Sequence, residues 1–304
     1  MTKSPFSLDH SPPIGEIEVL AEDLQVITAP NAGPMTFTGT RSYLLGNSHV
    51  VLIDPGPDVE SHKSAIMTAL RGRTLEAIVV THSHVDHSPL ASVVARETGV
   101  PVYGCSKPLA ASSEITVDIG GFAGGEGVDR AFQADVDLID NQVIEGTGWR
   151  LEAIHTPGHL NDHMCFSDGD RLFSGDHVMG WATSMISPPE GNLTAFMASL
   201  ERLLERPEQL YVPGHGAVVE NGPAIARFIL EHRRRREAQI LAVLENGARS
   251  IEAITAEIYA NVDKALHMAA SRNVLSHLID LYVRHLVACE GDFSVSGQFR
   301  LVQK

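Results

Sequence analysis

Residues 82–87 read His-Ser-His-Val-Asp-His, which puts four metal-capable side chains into six positions. The apolar run Ala77-Ile78-Val79-Val80 precedes them and reads as a short buried strand, so the cluster falls where a strand gives way to a loop. There His82, His84, Asp86 and His87 can converge without burying unpaired polar groups. Imidazole and carboxylate together suit zinc, and iron or manganese also fit. Three further segments place a metal-type residue at a turn after an apolar stretch. Thr156-Pro157-Gly158-His159 follows Leu151-Glu152-Ala153-Ile154, Ser174-Gly175-Asp176 follows Arg171-Leu172-Phe173, and Val212-Pro213-Gly214-His215-Gly216 follows Leu210-Tyr211. Gly and Pro beside each candidate let the backbone turn sharply and aim the side chain. The set then holds five His and two Asp, enough for two metals: three His on one, two His and an Asp on the other, one Asp bridging.

At 304 residues the chain is long enough for two domains, or one large domain with an appendage. No segment approaches the length of a membrane span, and the polar, Pro-rich stretch from Met1 to Pro13 has no signal-peptide core, so no membrane association is expected. Cys105, Cys165 and Cys289 are widely spaced and odd in number; they read as buried thiols in a reducing compartment, which points to the cytoplasm. The net charge of −15 argues against a general nucleic-acid binder. It is uneven: residues 231–304 carry 10 Lys/Arg against 9 Asp/Glu, and the run Arg233-Arg234-Arg235-Arg236 reads as a solvated helix face.

Strand-like runs cover Ile17–Ala29, then Ser42–Leu45 and His49–Ile53 as a hairpin around Gly46-Asn47. A helix over 59–70, the strand 77–81, a helix near 88–98 and a strand at 101–105 follow, then a Gly-rich insertion over 106–135 with room for a short helix. Strands resume at 136–155 and 163–174, with a helix near 192–205 and a strand at 209–212. From 223 the pattern is helical: 223–245, 250–259 and 263–287, then a short hairpin over 285–302 around Glu290-Gly291-Asp292. Three helices and a two-stranded wing outline a winged helix. The expected division is an N-terminal extension 1–16, a catalytic domain 17–229 and a winged-helix domain 230–304.

The four motifs, in this order and spacing, resemble the metallo-β-lactamase superfamily over about residues 17–220. The resemblance implies an α/β (α+β) αββα sandwich with metals at one edge of two facing sheets. Asn31-Ala32-Gly33-Pro34-Met35-Thr36, Thr156-Pro157-Gly158-His159 with Asp162-His163-Met164, and the winged-helix tail resemble the β-lactamase-like protein 2 branch, whose animal members are implicated in RNA cleavage. The stretch His177 to Pro189 departs from that animal pattern. Asp176 stands where true zinc β-lactamases usually carry a Cys, and His84 where iron-dependent oxygen-reducing relatives often carry a Glu. Glyoxalase II-like thioesterases share the full ligand set.

By this resemblance His82, His84 and His159 bind one metal, Asp86, His87 and His215 a second, and Asp176 bridges. Two divalent ions, most simply Zn2+, would acidify a bridging water and polarise a scissile carbonyl or phosphoryl oxygen. Asp86 is the catalytic candidate, orienting the nucleophile and carrying a proton. Asp54, at a strand end, is expected to accept the outer ring N–H of a ligand His, with a simple turn-forming role as the other reading. His163 is expected to satisfy backbone groups near the site. Met35, Phe37, Met179, Trp181 and Met185 offer a pocket wall, and His177 a substrate contact. The leading expectation is hydrolysis of a small ester, thioester, lactone or related carbonyl substrate. The alternatives are a phosphodiesterase or endoribonuclease with RNA as partner, an iron-dependent oxygenase, and a nucleic-acid-binding regulator. The tail is expected to affect substrate range more than metal content.

Overall fold

The computed structural model describes residues 4–106, 127–261, 263, 267–291 and 293–302. Most of the Gly-rich insertion, and Asp292 in the expected wing turn, lie outside the described residues.

Two sheets face each other. The first has seven strands in chain order: β1 (Ile17–Ala21), β2 (Leu24–Thr28), β3 (Arg41–Gly46), β4 (His49–Ile53), β5 (Thr74–Val79), β6 (Val102–Gly104) and β7 (Val136–Asp137). β1 to β4 run antiparallel, and β4 to β7 run parallel. The run expected as one strand over 17–29 is broken by a turn between β1 and β2. Helices α1 (Glu60–Ala69) and α2 (Pro89–Thr98) supply crossovers between the parallel strands. The second sheet is ordered β12-β11-β10-β9-β8, from β8 (Val143–Gly146), β9 (Trp149–His155), β10 (Met164–Ser167), β11 (Arg171–Gly175) and β12 (Leu210–Pro213). Helix α3 (Leu193–Leu204) joins β11 to its parallel neighbour β12.

Strand alternation sorts the apolar residues into three layers. Between the sheets lie Tyr43, Val51, Ile53 and Val79 from one and Leu151, Ala153, Phe166 and Phe173 from the other. Their neighbours Leu44, Val50, Leu52 and Ile78 point outward onto Ile66 of α1 and Leu90 and Val94 of α2. On the opposite outer face, Ile154, Cys165, Leu172 and Tyr211 pack on Phe196 and Leu200 of α3 and on Ile225 and Ile229 of α4 (Gly222–Leu244). This is the αββα sandwich.

Helix α4 then leaves the sandwich. Its last turns place Ile240, Val243 and Leu244 in a separate core with α5 (Ile251–Ile258), α6 (His267–Val283) and the hairpin β13 (Val287–Cys289) and β14 (Phe299–Leu301). The tail is a winged helix, and α4 runs unbroken across residue 230, where the sequence suggests a domain boundary.

Parallel pairing brings the C-terminal ends of β4 and β5 to one edge of the first sheet. The same edge of the second sheet carries the ends of β9, β11 and β12. A bridge between Thr40 and His215, and the Tyr43 hydroxyl donating to the Pro213 carbonyl at 2.6 Å, tie the two sheets together there.

Candidate metal centre

All seven candidate ligands sit on that edge. His82 to His87 follow β5, His159 follows β9, Asp176 follows β11 and His215 follows β12. Each is buried, the most exposed being His84 and Asp86 at 6%. They form two clusters: His82, His84 and His159, and Asp86, His87 and His215, with Asp176 also grouping with His82 and His87.

In four rings the partner of the outer nitrogen assigns the tautomer. His82 donates from Nδ1 to Thr81 Oγ1 at 2.9 Å, and Thr81 Oγ1 donates to Asp54 Oδ2 at 2.7 Å. His87 donates from Nδ1 to the same Asp54 oxygen at 2.9 Å. His159 donates from Nδ1 to the Met185 carbonyl at 2.7 Å, and His215 from Nδ1 to the Gly39 carbonyl at 3.3 Å. In its neutral tautomer each of these rings therefore turns the acceptor Nε2 inward. His82 Nε2 lies 2.9 Å from His84 Nδ1, which lies 3.1 Å from His159 Nε2. His87 Nε2 and His215 Nε2 are 3.3 Å apart, with Asp86 Oδ2 at 3.3 and 3.2 Å from them. Asp176 stands between the groups: Oδ1 is 3.5 Å from His87, and Oδ2 is 3.3 Å from His215 and 3.8 Å from His159.

This donor set fits divalent ions. Around His84 three ring nitrogens share at most one proton, so their lone pairs repel unless a cation lies among them. Asp86 Oδ1 and Asp176 Oδ1 are buried with no hydrogen-bond partner among the described residues, an arrangement that costs stability unless something positive meets them. The local field agrees. Burial disfavours charge on His87, yet Asp86, Asp176 and Asp54 outweigh it and hold its pKa well above the ordinary histidine range. Burial opposes charge on His215 too, and Asp176 and Asp86 push it up to about 10. On the other side burial, with the neighbouring rings, holds His82 well below that range. Nitrogen and carboxylate donors in these numbers suit zinc, iron or manganese.

Asp54 does both things the sequence allowed. It sits at the turn after β4 in left-handed backbone, φ 50°, and its carboxylate also takes the Thr81 backbone N–H at 2.7 Å. His163 accepts the Asp176 N–H at 3.2 Å, as expected of it. The glycines differ in their reason. Gly158 combines a φ of 144° with crowding, since a Cβ there would run into the Phe196 backbone, whereas Gly214 is required by crowding alone: a Cβ there would meet Asp176 Oδ1 at 2.5 Å and His87 Cε1 at 2.7 Å.

The expected wall is only partly at the surface. Trp181 stacks on Phe37 with ring centroids 4.9 Å apart, and Met35 is half-buried in the neighbouring loop. Met179 is 4% exposed and offers little surface to a ligand. His177 corrects the sequence reading as a substrate contact. It is wholly buried, packed against α3 with its ring 4.4 Å from that of Phe196 and 5.7 Å from that of His163.

Sequence reasoning missed Thr40. It donates to Asp86 Oδ2 at 2.9 Å and is itself held by Asn31, which accepts the Thr40 N–H and donates to its hydroxyl. The quoted Asn31 motif was the available signal, but nothing in it marked Thr40 as the next link. Also missed was a cavity of about 300 Å³ lined by Ser83, Asp129, Arg130, Leu160, Asp162 and Glu190. Ser83 and Leu160 are chain neighbours of His82, His84 and His159, although none of the seven candidate ligands lines the cavity. Burial pushes Asp162 up to about 6, and its Oδ1 has no hydrogen-bond partner among the described residues.

Residues 35–215 match the Metallo-beta-lactamase superfamily, and residues 250–296 the Beta-lactamase associated winged helix domain. The Beta-lactamase-like protein 2 homolog of Caenorhabditis elegans is 30% identical over 88% of this chain and 86% of its own. An atrochrysone carboxyl ACP thioesterase of Passalora fulva is 29% identical over 96% of this chain and 83% of its own. Among solved structures, a beta-lactamase domain protein from Burkholderia ambifaria superposes with a TM-score of 0.80 over 97% of this chain and 96% of that one, at 18% identity.

Proposed function

The chain belongs to the metallo-β-lactamase superfamily, and from that premise we propose a dinuclear metal-dependent hydrolase acting on a thioester or closely related carbonyl substrate. The observation that carries the reading is the inward convergence of seven donors, four of them histidines whose outer ring nitrogens already have partners. His82, His84 and His159 would hold one ion, Asp86, His87 and His215 the other, and Asp176 would bridge. When bound, two divalent ions supply a water acidic enough to attack near neutral pH and a Lewis acid for the scissile carbonyl.

The remaining work falls to this chain's own atoms. Asp86 Oδ2 is occupied by the Thr40 hydroxyl, so Oδ1 is the oxygen left to accept a hydrogen from the attacking water. Although burial opposes its ionisation, His87 and His215 hold the Asp86 carboxyl well below the usual range. It therefore orients the nucleophile better than it stores a proton. The 300 Å³ cavity lined by Ser83 and Leu160 would take the acyl group or its leaving arm. No described helix is long and apolar enough to cross a membrane.

A thioester is preferred because relatives named as thioesterases align over nearly the whole chain, and because the overall charge of −15 disfavours a polyanion. The test is a panel on metal-analysed protein: acyl thioesters, aryl esters, lactones, β-lactams, phosphodiesters and short RNAs. Turnover of thioesters above the others is expected. Turnover confined to phosphodiesters or RNA would overturn the substrate assignment, and fewer than two metal equivalents per chain would overturn the dinuclear one.

A further inference from the structure

We propose that the C-terminal tail positions a ligand of the first metal, with Arg233 and Ser276 as positioning residues for His159. The inference rests on reading His159 as a ligand.

The connection passes through three consecutive carbonyls. The Ser184 carbonyl accepts from Arg233 Nη2 at 2.6 Å, the Met185 carbonyl from His159 Nδ1 at 2.7 Å, and the Ile186 carbonyl from Ser276 Oγ at 2.7 Å. Arg233 comes from α4 and Ser276 from α6, so two helices of the tail grip the carbonyls on either side of the one that orients the ring. The segment 181–190 contains no helix or strand, so no ladder of its own fixes the direction of the Met185 carbonyl. The Ser184 hydroxyl adds an internal tie, donating to the Asp176 carbonyl. Asp280 of α6 takes the Thr194 hydroxyl at the start of α3, which keeps α6 against the same segment.

Arg233 is an expensive residue for a mere space-filler. It is 2% exposed, has no carboxylate partner among the described residues, and leaves Nε without an acceptor. Its guanidinium lies 5.7 Å from the centre of the Phe196 ring. Burial pulls its pKa down to about 10, which leaves it cationic at neutral pH. A desolvated cation lowers stability unless its hydrogen bonds compensate, and among the described residues the bond to Ser184 is the one in place. A methionine would fill the same space at lower cost but would leave the Ser184 carbonyl free to turn. Outer partners of metal-bound imidazoles set ring orientation and basicity, so a looser Met185 carbonyl weakens the position that His159 serves.

The experiment uses full-length wild type, Arg233→Met, Arg233→Lys and Ser276→Ala, with His159→Ala as the reference for a lost first position. Each is loaded with Co2+, and the affinity at each position is read by chelator competition and by the visible cobalt spectrum. Ser276→Ala and Arg233→Met should lose about tenfold or more in affinity at the position that His159→Ala removes. The other position should keep its affinity, and Arg233→Lys should recover part of the loss. Ser276→Ala removes a single hydroxyl, so the test does not depend on Arg233→Met folding. Wild-type affinities and spectra in both Ser276→Ala and Arg233→Met would overturn the proposal. So would an equal loss at both positions, which marks general destabilisation. A His159→Ala protein that keeps two equivalents would instead overturn the ligand reading on which the proposal stands.

Discussion

The floor of the site and the segment above it are held in different ways. On the floor, His82 and His87 both reach one carboxylate, Asp54, which sits at the end of β4 between two layers of packed strands. Their orientation is fixed by the same contacts that hold the sheet. Above it, His159 answers to a backbone carbonyl in a segment without regular structure, whose neighbouring carbonyls are held by α4 and α6. The floor is rigid by construction, whereas the segment above it is rigid only while its neighbours hold it. A site arranged this way keeps one metal position constant and leaves the other open to adjustment from outside the sandwich.

The comparison can be broken or sharpened in order of effect. Asp176→Ala removes the carboxylate shared by both halves; metal content should fall below one equivalent and hydrolysis by about a thousandfold. An Asp176→Ala protein with wild-type metal content would refute the shared role. Acid tests the support behind the floor. His62, whose Nε2 lies 2.9 Å from Ser42 Oγ, is pulled by burial down to about 4. Its folded form is thus neutral, and the unfolded chain takes the proton first. That stabilisation is complete above pH 6.5 and is lost as pH falls toward 4, by up to about 3 kcal/mol. Urea midpoints of wild type should drop across that window relative to His62→Gln, and parallel curves would exclude the effect.

Gly214→Ala puts a methyl against Asp176 and His87, and should cost about a hundredfold in activity with the sandwich still folded; unchanged kinetics would show that the floor yields. Asp54→Ala should weaken metal binding by about 10- to 100-fold, measured by chelator competition. Under the floor-and-segment contrast this loss falls on both positions, because Asp54 serves His82 through Thr81 and His87 directly. The smallest effect belongs to the wall: Trp181→Ala should retain both metals and raise KM by up to about tenfold. A loss of metal there would show that the wall is part of the cradle.

Much of this was open to a reader of the sequence, and the pattern of what was not is physical. The seven donor-type residues stand out because they follow apolar runs and lie beside glycine or within two residues of another donor. Strand ends are therefore visible as changes of composition, and the structure brings all seven to one edge. Asp54 was visible for the same reason. Thr40 was not, since a hydroxyl beside glycine has no distinguishing chemistry until Asp86 lies 2.9 Å away. The carbonyls of residues 184–186 were beyond reach altogether, because every residue has one and only the fold says which way it points. Arg233 was hidden inside a run of four arginines that reads as a solvated face. That reading suits Arg234 and Arg235, which are exposed, while Arg233 turns inward. His177 misled for the opposite reason: adjacency in sequence to Asp176 looked like adjacency in space.

Helix α4 carries a consequence of its own. It spends Ile225, Ala226, Ile229 and Leu230 on the sandwich and Ile240, Val243 and Leu244 on the tail, without a break between them. The relation between the two bodies is therefore one of phase around a single screw axis rather than of linker length. Adding one residue after Arg236 would rotate everything beyond by about 100° and advance it by about 1.5 Å. The tail would then present a different face to residues 184–186, and Ser276 would swing away from them. Such an insertion would act on the molecule as a dial acts, by angle.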